Sequence, residues 1–167
     1  MSTEDLRKTF TELEEQAARV LKRVNDAGLS IVTAESCTGG LLASLLTDIE
    51  GLSGAFERGF VVYSEKAKCE LLGLKQKTID RCGAVSAVTA EGMAVGALQH
   101  SHGDVAVAIT GFAGPGGSGD EEGLVFLAGL RKGGEITIRE HHFGAIGREA
   151  VRLETVKAAL ELLDAAV

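Results

Sequence analysis

Apolar side chains recur at spacings of three and four residues near both ends of the chain, as they do on one face of an α-helix. The first stretch predicts a helix over 3–27. Ser2 or Thr3 can cap its start, and Gly28 suits the left-handed conformation that ends helices. The second stretch predicts a final amphipathic helix from Ala150 to Leu163. The apolar positions of the first helix are Leu6, Phe10, Leu13, Ala17, Val20, Leu21 and Val24.

Short apolar runs between these helices predict buried β-strands. The predicted strands are Ile31–Ala34, Phe60–Tyr63, Val105–Ile109, Leu124–Leu130 and Glu135–His142, the last two forming a hairpin around Lys132–Gly134. The predicted helices are Leu41–Thr47, Ser64 to Leu72 closed by Gly73, and Ser86 to about His100 ended by Gly103. This alternation predicts an α/β fold: a single three-layer α/β/α domain over residues 1–167 with a mixed, mostly parallel sheet.

Composition and charge restrict the class of protein. A length of 167 residues fits one domain, and 22 glycines without a fixed period indicate tight turns and close backbone approaches. The formal charge of −7 disfavours a nucleic-acid surface and a polybasic membrane anchor, while leaving room for an anionic small molecule. Three cysteines without a C-x-x-C pair, and no apolar leader or membrane-length run, predict a cytoplasmic protein.

Three polar segments each follow a predicted strand, at 35–40, 63–68 and 110–119. In open α/β sheets, ligands bind beyond the carboxyl ends of the strands. If the strands are parallel and adjacent, the three segments converge on one edge of the sheet. We therefore expect the functional site at that edge.

The first segment places Ser36 at a strand-to-helix turn. Backbone N–H groups from Cys37 through Thr38 to Gly39 lie near the positive end of the next helix and can hold an oxyanion. Gly39 and Gly40 leave room for a substrate. Two other interpretations stay open: Ser36 or Thr38 is an ordinary helix cap, or Cys37 is a rival nucleophile, although a lone buried Cys more often serves packing.

The second segment supplies a possible activator for a serine, because no histidine occupies a suggestive position. Lys68 can act as a base if a dry, electropositive site lowers its pKa enough to populate the neutral amine. The alternative is a solvated lysine on a helix surface.

The third segment contains G-x-G-x-x-G at 114–119, but an acidic run and a strand follow it instead of a helix. The dinucleotide-binding fingerprint therefore fails on context, and a flexible connecting loop is the alternative interpretation. Thr110 and Gly111, at the end of a strand, can hold a ligand through the backbone. Arg148, at the expected start of the last helix, can clamp a phosphate or form a surface ion pair.

No metal site is expected from the histidines, because none has a Cys or carboxylate at a recognised ligand spacing. They are interpreted as surface or strand residues: His100, His102, His141 and His142.

Five motifs, in this order and spacing, resemble the CinA C-terminal domain family over nearly the whole chain. They are Thr33–Gly40 (TAESCTGG), Phe56–Phe60 (FERGF), Tyr63–Lys68 (YSEKAK), Gly83–Ser86 (GAVS) and Ile109–Pro115 (ITGFAGP). The resemblance implies hydrolysis of the carboxamide of nicotinamide mononucleotide to nicotinate mononucleotide and ammonia, in pyridine-nucleotide salvage. It also implies an α/β/α fold, a small-molecule nucleotide as partner, a homo-oligomer and no cofactor.

The same resemblance assigns roles to individual residues. Ser36 falls on the family's nucleophile and Lys68 on its base. The positions that line the site are Tyr63, Thr110 and Gly111, and Arg148 falls on the basic residue that meets the substrate. One departure is the stretch 117–123, where the family usually carries Lys-Pro-Val-Gly and this chain reads GSGDEEG.

Longer family members carry a second, nucleotide-processing domain, and this chain is expected to be the stand-alone form. Two rival functions remain at this point. One is a non-catalytic, nucleotide-binding protein with a regulatory or competence-related role. The other is a hydrolase that uses the same serine and lysine on a different amide or ester.

Overall fold

The computed structural model describes residues 3–167, in which a five-stranded sheet lies between two layers of helices. The strands are β1 Ile31–Glu35, β2 Phe56–Val61, β3 Val105–Gly111, β4 Leu124–Arg131 and β5 Ile136–His142. The helices are α1 Thr3–Asp26, α2 Leu41–Thr47, α3 Glu65–Leu72, α4 Gln76–Cys82, α5 Ala87–Gln99 and α6 Arg148–Ala166, with a short 3₁₀ helix at Ser53–Ala55.

The strand order across the sheet is β2-β1-β3-β4-β5. Strand β1 pairs in parallel with both β2 and β3, whereas β4 runs antiparallel to its neighbours β3 and β5. Four of the five strands therefore point the same way, which confirms the mixed, mostly parallel sheet. The carboxyl ends of β1, β2 and β3 meet at one edge, as the convergence of the polar segments requires.

The two faces of the sheet carry side chains of different size, because alternate strand residues point to opposite faces. On β3, the bulky residues Val105, Val107 and Ile109 join the core formed with α1, α2 and α6. The intervening Ala106 and Ala108 face α5 and α3 instead. Small side chains on that face let α5, itself rich in alanine and glycine, lie close to the sheet.

Most of the predicted helices and their ends are confirmed. Gly28 has a φ of 66° just beyond α1, and Gly73 has a φ of 72° just beyond α3. The Oγ of Ser64 accepts a hydrogen bond from the N–H of Ala67, and Ser86 caps α5 in the same way. The predicted cap of α1 at Ser2 or Thr3 rests on side chains outside the described part of the chain.

The structure differs from the prediction at one strand, one helix and one helix end. The second strand runs over Phe56–Val61 rather than Phe60–Tyr63, because an edge strand tolerates polar residues that conceal it in the sequence. The polar helix α4 had not been predicted. Helix α5 ends at Gln99, which confirms the predicted end at about His100, and its C-cap residue is His100 rather than the predicted Gly103. The His100 ring Nδ1 lies 2.8 Å from the carbonyl oxygen of Gly96.

Candidate active site

A cavity of about 300 Å³ opens at the carboxyl edge of β1, β2 and β3. All three polar segments contribute to its lining, as predicted. The predicted site residues that line it are Ser36, Cys37, Tyr63, Lys68, Thr110, Gly111 and Arg148. Residues far apart in the chain thus converge because three neighbouring strands end at the same edge.

The Nζ of Lys68 lies 3.0 Å from the Oγ of Ser36. Ser36 follows β1 directly, and its backbone N–H donates to the carbonyl of Ile109 on β3 at 3.1 Å. Lys68 projects from α3, the helix that follows β2. Side chains from two separate crossovers of the sheet therefore form one hydrogen-bonded pair inside the cavity.

Lys68 is not the solvated helix lysine of the alternative interpretation, because only 1% of it is exposed. Its Nζ also lies 2.9 Å from the carbonyl oxygen of Val62 and 3.5 Å from that of Tyr63. No carboxylate forms an ion pair with Lys68 within residues 3–167. Burial lowers the pKa of Lys68 below its ordinary value, since desolvation disfavours the ammonium.

Three oxygen atoms surround Nζ, so an ammonium can donate to all three of them, and a neutral amine can use the same contacts with one role reversed. Carbonyl oxygens only accept hydrogen bonds, so those of Val62 and Tyr63 take the two N–H groups of a neutral Lys68. The nitrogen lone pair is then left for the hydroxyl proton of Ser36. This arrangement can remove the proton of a serine nucleophile.

The turn that carries Ser36 is held by Glu35, a residue that sequence reasoning missed. Glu35 is fully buried, and its carboxylate accepts hydrogen bonds from the N–H groups of Leu42 and Ala43 at 3.1 Å and 2.8 Å. Glu35 therefore satisfies the first turn of α2, whose N-cap residue is Gly40. The interpretation of Ser36 or Thr38 as the helix cap was wrong.

Cys37 lines the same cavity but has the character of a packing residue. It is 8% exposed, and burial raises the pKa of its thiol to about 11, with the nearby charge of Glu35 contributing in the same direction. The thiol is therefore protonated at neutral pH, whereas a cysteine nucleophile reacts as the thiolate. The geometry favours Ser36 over Cys37.

Thr38 and Gly39, which are predicted to bind substrate, are not among the residues that line the cavity. The Thr38 hydroxyl donates to Glu35 at 2.7 Å, and the Thr38 carbonyl accepts from the guanidinium of Arg152. The N–H of Gly39 donates to the carbonyl of Ser36 at 3.0 Å, so this N–H is occupied. Both residues belong to the internal bonding of the turn.

Tyr63, Thr110 and Gly111 lie on the cavity wall in different ways. Tyr63 is 71% exposed and stands at the rim. The Thr110 hydroxyl donates to the carbonyl of Ala84 at 2.7 Å, which ties the end of β3 to the loop before α5. A Cβ at Gly111 would lie 2.8 Å from the Leu124 carbonyl oxygen, so this close approach requires glycine.

Arg148 begins α6 and lines the cavity beside the glycine-rich segment. A Cβ at Gly114 would lie 2.9 Å from an Arg148 guanidinium nitrogen, so the absence of a side chain there makes room for the guanidinium. Arg148 forms no ion pair in the described part of the chain, so the ion-pair interpretation was wrong. The segment 114–119 is a loop that leads into β4, which confirms that it is not a dinucleotide fingerprint.

From the stretch 117–123, where this sequence differs from the family, one residue lines the cavity. Asp120 lines the cavity and accepts a hydrogen bond from the N–H of Gly117 at 2.7 Å. Glu121 instead faces β5, where its carboxylate lies 2.6 Å from the Nδ1 of His142. The loop is thus attached to the sheet through a histidine.

The described residues contain neither a metal-binding cluster nor a membrane-spanning helix. Across residues 3–167 there is no group of three or more His, Cys, Asp or Glu side chains that could hold a metal ion. None of the helices described has the length and apolar character needed to cross a lipid bilayer.

The fold and the site together define an α/β domain with a buried serine–lysine pair at the carboxyl edge of its parallel strands. The family model of the CinA C-terminal domain matches residues 13–167, and the chain belongs to this family. The resemblance stated from the motifs is therefore confirmed.

Named relatives agree with this assignment. Nicotinamide-nucleotide amidohydrolase PncC of Escherichia coli (strain K12) is 44% identical over 155 residues, which cover 91% of each protein. A CinA-like protein of Chlorobium limicola is 46% identical over 144 residues, covering 84% of this chain and 33% of that protein. The crystal structure of the competence/damage inducible protein CihA from Agrobacterium tumefaciens matches with a TM-score of 0.89 at 47% identity. That match covers 92% of this chain and 94% of the other, and it confirms the predicted fold class.

Proposed function

We propose that this chain is a nicotinamide-nucleotide amidohydrolase that converts nicotinamide mononucleotide to nicotinate mononucleotide and ammonia, with Ser36 as nucleophile and Lys68 as base. The observation that carries the proposal is the 3.0 Å contact between Lys68 Nζ and Ser36 Oγ inside the cavity. The Escherichia coli relative, a nicotinamide-nucleotide amidohydrolase at 44% identity, suggests the substrate.

The reaction divides into two steps. In the first, the neutral amine of Lys68 takes the hydroxyl proton as Ser36 Oγ attacks the carboxamide carbon. The C–N bond then breaks, the ammonium of Lys68 returns the proton to the leaving nitrogen, and ammonia departs. In the second step, Lys68 takes a proton from water as the water oxygen attacks the ester carbon on Ser36. The bond between that carbon and Ser36 Oγ then breaks, Lys68 returns the proton to Ser36 Oγ, and the acid leaves and loses its own proton to solvent at neutral pH.

The developing oxyanion needs a hydrogen-bond donor. The N–H of Cys37 donates to no backbone carbonyl within the described residues, lies beside its own thiol, and belongs to a cavity-lining residue. We assign this N–H to the oxyanion. The N–H of Gly39, predicted for the same role, already donates to the Ser36 carbonyl.

The phosphate is the group through which the protein is proposed to recognise the substrate, and Arg148 is the residue proposed to bind it. Its guanidinium forms no ion pair within residues 3–167, and Arg148 lines the same cavity as Ser36 in a protein whose formal charge is −7. A planar guanidinium suits a phosphate because it donates two parallel hydrogen bonds. Because both substrate and product are pyridine nucleotides, the reaction belongs to their salvage.

The test is ammonia release from nicotinamide mononucleotide by the purified protein, with nicotinamide riboside and free nicotinamide as controls. We expect release from the mononucleotide and little from either control. Binding of the mononucleotide without ammonia release would instead favour the non-catalytic, regulatory interpretation. Preferential release from another amide would favour a different hydrolase. The predicted homo-oligomer stays a prediction, which sedimentation of the same preparation would test.

A further inference from the structure

Glu35 is a fully buried carboxylate that directly precedes Ser36. No lysine, arginine or histidine forms an ion pair with it in the part of the chain that the structure describes. The donors that contact its two carboxylate oxygens are all neutral: the hydroxyl of Thr38 and the N–H groups of Leu42 and Ala43. Burying a charge without a cation costs free energy, so the carboxylate calls for a specific reason.

The reason lies in the way α2 begins. Its N-cap residue, Gly40, has a φ of 92° and no side chain that could satisfy the helix N–H groups. Glu35 satisfies them instead, from the last position of β1. One side chain therefore joins the end of the strand to the start of the helix and closes the turn 36–40 between them.

A carboxylate suits this position because it only accepts hydrogen bonds and offers two oxygens. It can therefore take the Thr38 hydroxyl and both helix N–H groups at once. The backbone of Glu35 is fixed too, since its carbonyl accepts from the N–H of Val62 at 2.8 Å. The carbonyl of Val62 in turn accepts from Lys68 Nζ, so Val62 connects Glu35 to the lysine.

We propose that Glu35 is a positioning residue that holds Ser36 Oγ within reach of Lys68 Nζ. The inference rests on the proposed function in that Ser36 is the nucleophile. Displacing a reacting group by about 1 Å can lower a rate by about 10²-fold without changing the groups themselves. Loosening the turn should therefore slow attack by Ser36 while leaving the substrate contacts at Tyr63 and Arg148 in place.

The variant Glu35→Gln keeps the shape of the side chain and changes its hydrogen-bonding capacity. The amide has the shape of the carboxylate but only one acceptor oxygen, so its NH₂ group must face one of the helix N–H groups. Thr38→Val removes only the hydroxyl donor, and Thr38→Ser restores it. Thr155→Val is the matched control, because Thr155 is equally buried and donates to the Val151 carbonyl within α6, away from the cavity.

The experiment measures three quantities for each variant: the rate at which a fluorophosphonate labels Ser36, located by mass spectrometry; kcat for ammonia release; and Kd for nicotinate mononucleotide. We expect Glu35→Gln to lower the labelling rate and kcat by about 10²-fold while Kd changes less than about twofold. Thr38→Val should lower the labelling rate and kcat by a smaller factor, and Thr38→Ser should keep most of the wild-type labelling rate and kcat. Thr155→Val should label at the wild-type rate.

Labelling of Glu35→Gln at the wild-type rate would overturn the proposal, as would a Kd that weakens in step with labelling. If Glu35→Gln does not fold, equal labelling of Thr38→Val and the wild type would overturn it. A wild type that is labelled at Ser36 but releases no ammonia would refute the proposed substrate, and the labelling series would still decide the role of Glu35. A wild type in which Ser36 resists labelling would reject both.

Discussion

Lys68 Nζ lies 3.0 Å from Ser36 Oγ, although 32 residues separate the two in the chain. Each residue follows a strand of the parallel part of the sheet, and β1 and β2 are neighbours. The sheet therefore brings a hydroxyl to an amine that has 1% of its surface exposed. The roles proposed for Ser36 and Lys68 lead to predictions that distinguish the functions of the groups around them.

Ser36→Ala is expected to abolish turnover of nicotinamide mononucleotide and leave binding largely intact. Loss of the nucleophile should lower the rate by at least ~10³-fold, because the covalent route is removed while the cavity keeps its other lining. Ammonia release and calorimetric binding measure the two effects. Cys37→Ala is the control and should keep most of the activity; a lethal effect of that change alone would identify the thiol as nucleophile.

The thiol of Cys37 is expected to be unreactive in the folded protein at neutral pH. Its pKa of about 11, raised by burial, leaves almost no thiolate at that pH. Iodoacetamide labelling followed by peptide mass spectrometry should modify Cys69 and Cys82, both partly exposed, before Cys37. Rapid modification of Cys37 with matching loss of activity would contradict this assignment.

The pairing of Ser36 with Lys68 could be predicted only in part from the sequence. Both residues follow strands, so the convergence of their segments could be predicted from the α/β pattern. The burial of Lys68 could not, because a lysine in the mixed sequence of α3 resembles a solvated side chain until the helix packs beside the cavity. The motif resemblance, not the local pattern, favoured the catalytic interpretation.

Glu35 escaped sequence analysis for a related reason. A glutamate at the end of an apolar run looks like the first residue of a polar turn, whereas it is the buried last residue of β1. Its partners Leu42 and Ala43 lie seven and eight residues further on, beyond the spacing of a local capping box. The one available signal was Gly40, a helix start without a capping side chain.

Lys68→Met is expected to remove activity without lowering the melting temperature at neutral pH. The folded-state pKa of Lys68 is lowered, so its ammonium opposes folding. The opposition is complete below the folded-state pKa, decreases as pH rises towards the ordinary value of 10.5, and is absent above that value. Methionine keeps most of the stem and carries no charge. Thermal unfolding of both proteins at pH 7 checks this, and a large fall in Tm would indicate a structural lysine.

The lowered pKa of Lys68 also predicts how kcat of the wild type depends on pH. Because the base is the neutral amine, kcat should rise with pH through an apparent pKa below the ordinary lysine value of 10.5. The measurement is kcat for ammonia release from acid to alkaline pH. A flat profile over that range would contradict Lys68 as the base.

His142 is expected to attach the cavity loop in a pH-dependent manner. Its two ring nitrogens face Glu121 and Glu140 at 2.6 Å and 3.1 Å, and a histidine can donate to both only as the imidazolium. The pKa of His142 is raised mainly by its hydrogen bond to Glu121 and to a smaller extent by its contact with Glu140. Its stabilisation is therefore complete below the ordinary pKa of 6.5 and lost as pH rises through the raised value.

The check is the difference in Tm between the wild type and His142→Ala. A small difference is expected at about pH 5.5 and none at about pH 9, since the three side chains are about half exposed. A difference that persists unchanged at the higher pH would show that His142 acts through packing alone.

Arg148→Ala is expected to weaken use of the mononucleotide mainly through KM. The guanidinium lines the cavity without an ion pair in the described chain, so a phosphate can engage it without displacing a protein carboxylate. Loss of a charge-assisted hydrogen bond should cost about 1.5–3 kcal/mol in kcat/KM. The variant Arg148→Lys should keep only part of the kcat/KM that Arg148→Ala loses, because an ammonium lacks the planar pair of donors of a guanidinium.

Nicotinamide riboside distinguishes phosphate recognition from a general effect on the cavity. It lacks the phosphate, so it should be a poor substrate for the wild type and almost indifferent to Arg148→Ala. Measuring kcat/KM for both compounds with both proteins closes a thermodynamic cycle, whose coupling term isolates the contact between Arg148 and the phosphate. If the substitution harms the riboside as much as the mononucleotide, the coupling vanishes. Arg148 would then shape the cavity wall beside Gly114 instead of binding the phosphate.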